Sequence, residues 1–293
     1  MTNPVMLYAK TRLHWGFIVR QIGASAAQPA YPIPPPTTVV GAFANPLARL
    51  LGLGEPQPAR RKASRGTIDS FMECLLKATL NASAAILETS QGVGSVIYEE
   101  PARLLAAPFK GGGSYEKAVK SPILVGSQEI LPVQGLGFAS APSAVLALSW
   151  IVEKESLERC IGRSLSRTEL EVVAWNVYRI GSREGVSATV DAGVIEKDDM
   201  KLIGVGEGGF VSLLYQPASC VSPRRGGSMV TEVILPSLSY IEEAFLVPAE
   251  LGSSSALIVP PSKLARFSIA SDVCKALVPR DMPEFSLAFK SYS

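Results

Sequence analysis

The segment Tyr31-Pro32-Ile33-Pro34-Pro35-Pro36-Thr37-Thr38-Val39-Val40-Gly41-Ala42 constrains this chain more than any other. Each proline fixes φ, lacks an N–H and biases its predecessor towards extended backbone. A stiff run therefore leads straight into Thr37 and Thr38, either of which can cap a helix to about Leu51, with Gly52 and Gly54 to stop it. A helix starting there would present unpaired N–H groups and a positive dipole end, a ready phosphate site, and Gly41 and Ala42 would let another chain come close. The same prolines could instead form a polyproline ligand for another protein, or only a rigid connector.

Charge is distributed unevenly around this block. Residues 1–65 carry eight basic side chains against the single acid Glu55, whereas the remainder carries 20 basic and 25 acidic residues. The net charge of +2 hides that split, which fits an anion-facing N-terminal part on a mildly acidic body, or a solvated basic face. The 293 residues are 47% hydrophobic and 18% charged, enough for one large domain or two small ones with a sizeable core. No apolar run approaches the roughly 18 residues of a spanning helix, and no signal-peptide pattern opens the chain, so a cytoplasmic protein is expected. Cys74, Cys160, Cys220 and Cys274 are widely spread, without a C-x-x-C pair, and read as buried reduced thiols rather than a zinc site.

Val5 to Val19 alternates at period two and predicts one long strand or two joined by a bend. Ile68 to Leu80 has the spacing of an amphipathic helix, Ala82 to Leu87 and Ala144 to Val152 read as strands, and Ser166-Arg167-Thr168-Glu169 is a capping box. Val186 to Ile195 and Phe210 to Tyr215 are further strands, and the C-terminal third has short strands punctuated by prolines. Few helices and no regular βαβ alternation predict an α+β fold with antiparallel sheet.

Three features invite chemistry. Gly204-Val205-Gly206-Glu207-Gly208-Gly209 satisfies G-x-G-x-x-G, but a strand-like segment follows instead of a helix, so a turn is expected and not a nucleotide site. His14 is the one histidine; with Lys10 or Tyr8 it could serve metal-free RNA cleavage, or it could simply stack and pack beside Trp15. Tyr178-Arg179-Ile180-Gly181-Ser182-Arg183-Glu184-Gly185 places two arginines around a Gly-Ser turn that could bind phosphate, with a plain hairpin turn and an Arg183–Glu184 surface pair as the favoured reading.

Pro34 to Ala42, Arg179 to Gly185 and the Arg12-Leu13-His14-Trp15-Gly16-Phe17 strand end together resemble the Cas-five family of CRISPR-associated proteins, most closely its archaeal type I-A branch. The resemblance implies an α+β, ferredoxin-like, RRM-like domain of the RAMP superfamily over residues 1–216, with a β-hairpin thumb at about 91–135 and a smaller β-rich part over 217–293. It implies a subunit of the Cascade interference complex that caps the repeat-derived 5′ handle of the crRNA. Its partners would be the Cas-seven backbone subunit, the large and small subunits and, indirectly, target DNA, with no membrane and no cofactor. The type I-C branch cleaves precursor RNA with a Tyr, Lys and His set whose last two are adjacent; no Lys-His pair occurs here, which favours a non-catalytic role. A metal-independent endoribonuclease is the alternative.

On this reading Arg12, Arg20 and Arg49 neutralise phosphates, while His14 and Trp15 stack or pack at bases. Pro36, Thr37 and Thr38 at the helix start, and Arg179, Gly181, Ser182 and Arg183 at the turn, hold the RNA backbone. No catalytic residue, metal ligand or cofactor is assigned.

Overall fold

The computed structural model describes residues 3–19, 31–53, 65–88, 95–100, 136–140, 143–181, 185–251 and 257–291. Elements are numbered in chain order. Strand β1 (Pro4–Leu13) is followed by β2 (Gly16–Phe17), helix α1 (Pro36–Leu50), helix α2 (Arg65–Ala78) and β3 (Thr79–Glu88). Next come β4 (Ser95–Glu100), β5 (Leu136–Ser140), β6 (Val145–Glu153), α3 (Lys154–Ile161), α4 (Arg167–Trp175) and β7 (Ser187–Ile195).

Four of these strands form the central sheet in the order β3-β6-β1-β7, every pair antiparallel. Along the chain its elements run strand, helices, strand, strand, helices, strand. β6 explains the arrangement chemically. Its sequence VLALSWIVE is buried at all but the last position, because both faces of that strand are covered. On one face Leu7, Leu148 and Trp150 pack with Phe43 and Leu47 of α1 and Val173 of α4. Trp150 donates its indole N–H to Thr79 Oγ1 at 2.8 Å, so this large side chain is buried without an orphaned donor.

The opposite face meets the C-terminal third. There the elements are β8 (Met200–Ile203), β9 (Gly209–Ser212), β10 (Gln216–Pro217), β11 (Val221–Pro223), β12 (Val230–Pro236) and β13 (Glu242–Pro248). They continue with β14 (Glu250–Leu251), β15 (Leu257–Val259), β16 (Ala265–Ile269), β17 (Cys274–Pro279) and β18 (Leu287–Lys290). Phe285, Leu287 and Phe289 share a core with Met6, Ala147 and Ile151 of the central sheet. The expected division at 216/217 falls within shared sheets, since β8 pairs with β17 and β9 with β16. Tyr215, fully buried, donates its hydroxyl to Pro34 O at 3.0 Å and so ties this region to the proline block.

The α+β expectation with antiparallel sheets holds, with four α-helices among the described residues. The capping box is present: Ser166 Oγ accepts the Glu169 N–H, and Glu169 Oε2 accepts the Ser166 N–H at 2.9 Å. The glycine loop at 204–209 is a turn joining β8 to β9, with the Gly204 N–H donating to Glu207 Oε2 at 2.7 Å.

Two expectations need correction. The cysteines are not reduced thiols: Cys74–Cys160 links α2 to α3, and Cys220–Cys274 links the approach to β11 with β17. Their partners lie 86 and 54 residues apart, a pairing that local spacing does not reveal. Nor do Thr37 or Thr38 cap α1. Its N-cap is Pro35, without a side-chain cap hydrogen bond, because Pro36 fits the first helical position where an N–H is not needed. Among the described residues no helix is long and apolar enough to cross a membrane.

Candidate nucleic-acid interface

The C-terminal end of β1 carries Arg12 between Val145 of β6 and Ala188 of β7. Arg12 is exposed, and its Nη1 donates to Ser143 O at 3.3 Å. One residue beyond the strand, the exposed His14 donates its backbone N–H to Val186 O at 3.1 Å. Trp15 is half-buried, and Gly16–Phe17 turns away to pair with β5.

The Arg179 segment approaches from the other side. Ile180 N–H donates to Gly185 O and Ser187 N–H to Tyr178 O, each at 2.8 Å, with Arg179 bridged to Val186. These pairings are compatible with the hairpin turn expected from the sequence. Its tip, including Ser182, Arg183 and Glu184, lies outside the described residues, as does Arg20. Gly181 forms a parallel bridge with Ile18. It has φ +73°, and a Cβ there would lie 2.5 Å from Ile18 O, so only glycine allows the two segments to meet.

Arg49 joins from the end of α1, where a cation also suits the helix dipole. Its Nη2 donates to Tyr178 Oη at 2.7 Å, and its guanidinium lies over the Tyr178 ring, 4.7 Å from the centroid. Asn45 Nδ2 donates to the same phenol oxygen at 3.2 Å. Tyr178 stands immediately before Arg179 in the sequence, but nothing in the pattern around Asn45 marks it as a partner. Both position Arg49 rather than adding charge.

The other half of the expected grip is elsewhere. Thr37 and Arg49 are separated by the length of α1, about 18 Å at 1.5 Å per residue. At that far end Pro35 and Pro36 have no N–H, and the Thr38 N–H is turned to Pro35 O at 2.9 Å. Among the first turn's donors this leaves the half-buried Thr37, a poor anion cradle compared with an ordinary helix start. Pro36 instead borders a cavity of about 510 Å³ with Lys77, Tyr240, Phe245 and Lys290.

His14 finds neither expected chemical partner at hand. Lys10 Nζ is 2.8 Å from Asp191 Oδ2 and lies over the Phe285 ring. Tyr8 packs on Phe285, and burial, followed by the Asp191 carboxylate, pushes its phenol up. The arrangement presents exposed Arg12 and His14, and among the described residues Lys10 and Tyr8 are engaged with Asp191 and Phe285.

No protein-family model and no curated protein matches the chain. Among solved structures, it is similar to a CRISPR protein from Archaeoglobus fulgidus, with a TM-score of 0.57 at 16% identity over 98% of this chain and 99% of that one. A chain of the Type III-B Cmr-beta complex bound to cognate target RNA and AMPPnP aligns over 90% of this chain and 86% of its own at 11% identity, but its TM-score of 0.28 supports no argument. At such identities the finding is one of fold: this chain has the fold of the Archaeoglobus CRISPR protein over nearly its whole length.

Proposed function

We propose that this chain is a non-catalytic, crRNA-binding subunit of a type I-A Cascade complex that caps the 5′ handle of the guide. The observation that carries the reading is the convergence of two clusters far apart in sequence. The His14–Val186 hydrogen bond and the Ile18–Gly181 bridge draw Arg12 and His14 together with Arg179, beside Arg49. A basic edge on a rigid sheet end is what a single-stranded phosphate backbone requires.

The order β3-β6-β1-β7 and the strand–helix–strand–strand–helix–strand path support a ferredoxin-like, RAMP assignment. β4 and β5 pair antiparallel from Val96↔Ser140 to Glu100↔Leu136, which supports the hairpin thumb expected at about 91–135, of which 101–135 lie outside the described residues. That thumb is the contact for the Cas-seven backbone subunit on this reading. Two disulfides do not conflict with the cytoplasmic location, since the intracellular proteins of some organisms, hyperthermophilic archaea and bacteria among them, are disulfide-rich.

Incubating the purified protein with repeat RNA in EDTA tests the binding role. RNA that stays intact and bound is the expected result. Site-specific cutting that disappears in His14→Ala would replace this reading with that of a metal-independent endoribonuclease.

A further inference from the structure

A second basic surface lies in the C-terminal region and belongs to no site described above. Strands β11, β16 and β9 form a three-stranded sheet in that order. Its inner face is apolar: Val221, Phe210, Phe267 and Ile269 pack in one core with Cys220 and Cys274. The disulfide between those cysteines staples this core directly behind the sheet.

The outer face has a different chemistry. Ser222 of β11 stands opposite Ser268 of β16, which stands opposite Gly209 of β9. In the adjoining row Arg266 lies between Val211 and Arg224, whose N–H donates to Arg266 O at 2.7 Å. Arg224 and Arg266 are thus direct cross-strand neighbours, both exposed. Arg225 and Lys263, also exposed, flank them in the adjoining turns. No acidic residue occurs in the three strands, in the turn 224–229 or in 260–264. None of the four cations is ion-paired with another described residue. Like charges placed directly opposite across a sheet destabilise it, so this row costs folding energy unless an anion covers it.

Gly209 has the Phe267 carbonyl oxygen as its nearest neighbour, 2.8 Å from where a Cβ would stand, and the Arg224 side chain next. A Cβ on Gly209 would lie 3.1 Å from Arg224 Nη1 and 3.4 Å from its Cδ. The arginine stem therefore lies across the sheet over a residue that has no side chain. Two exposed arginines on neighbouring strands supply guanidinium donors suited to phosphate oxygens.

We propose that the outer face of β11–β16–β9 binds the phosphate backbone of a nucleic-acid duplex through Arg224, Arg266, Lys263 and Arg225. A duplex is favoured over a single strand because both aromatic residues of the sheet, Phe210 and Phe267, are buried inward. Unpaired bases would find nothing to stack on, whereas a duplex turns its bases inward and its phosphates out. Binding is independent of sequence and depends steeply on salt. The site is separate from the N-terminal arginine cluster and does not rest on the guide-binding role.

Fluorescence anisotropy on the purified full chain tests this, with a labelled mixed-sequence DNA duplex two helical turns long, the same strand unpaired, and repeat RNA. In Arg224→Gln/Lys263→Gln/Arg266→Gln, duplex affinity at low salt is expected to fall about tenfold or more. The slope of log K against log salt becomes less steep by about 2–3, near 0.9 per lost phosphate contact. Repeat-RNA affinity stays unchanged, and Arg224→Lys/Arg266→Lys, which keeps the charge, retains most of the duplex binding. Absence of duplex binding at low salt, a duplex affinity and slope unchanged in the triple variant, or a single strand bound more tightly than the duplex at this face would each overturn the proposal. Loss of both ligands by the triple variant and by the lysine variant would mark a structural role and overturn it as well.

Discussion

Gly181 lacks a side chain because Ile18 leaves no room for one. A Cβ would sit 2.5 Å from the Ile18 carbonyl oxygen, at a φ of +73° that L side chains rarely adopt. Gly181→Ala should therefore push the Arg179 hairpin away from the β1–β2 segment. We expect a loss of roughly 1–3 kcal/mol in denaturant unfolding, with weaker RNA binding. Unchanged stability and affinity would show that the two segments need not meet. Glu169 gives a pH-dependent counterpart. The Ser166 N–H, then the Arg163 guanidinium and the Ser166 hydroxyl, hold its carboxyl at about 2. A depressed folded-state pKa means that its contribution is present above the usual carboxylate range near 4.5 and is lost as pH falls towards 2. Glu169→Gln should flatten that part of the acid limb of a stability–pH profile, and a profile identical to wild type would contradict it. At this scale the sequence was informative where a residue's chemistry is local. The capping box follows from four consecutive residues. The roles of Tyr178 and Asn45 emerge only from the packing of α1 against the segment 178–181, since the contacts of Tyr178 with Asn45 and Arg49 span about 130 residues.

Helix α1 is the element that most reshapes the expected interface. Its starting prolines were legible, and so was its end near Leu51. What the sequence could not supply was which end faces which neighbour. The helix places Arg49 against Tyr178 and leaves Thr37 and Thr38 about 18 Å away at its other end, so the expected single grip becomes two separated surfaces. The disulfides teach the same lesson. Cysteine spacing signals a bridge only in small, cysteine-dense chains, and partners on α2 and α3 meet here because both helices cover one sheet face. In the chain-entropy view, closing a loop of 86 residues contributes about 4.6 kcal/mol. Cys74→Ser/Cys160→Ser should lower Tm by roughly 5–10 °C in calorimetry. A reductant should lower the wild-type Tm and leave less to lose in the variant. A Tm indifferent to both would show that α3 is held by packing alone.

At the scale of the whole molecule, one sheet is closed on one face by helices and on the other by the β-rich C-terminal region. That burial explains why β6 reads as an unbroken apolar run, and why the nucleic-acid contacts are assigned to a sheet end rather than to its broad face. The α+β class was legible from periodicity, while the strand order depended on long-range pairings that periodicity does not encode. On the proposed function, the end bearing Arg12, His14, Arg49 and Arg179 holds the processed end of a guide RNA. The most direct measurement is to purify the protein from its native cells, sequence the 5′ ends of the RNA that accompanies it, and repeat this with Arg12→Ala/Arg179→Ala. RNA with one uniform, repeat-derived 5′ end is expected, recovered at a several-fold lower level with the variant, whose fold is unchanged by circular dichroism. Absence of bound RNA, ragged 5′ ends unrelated to a repeat, or equal recovery with the variant would contradict it.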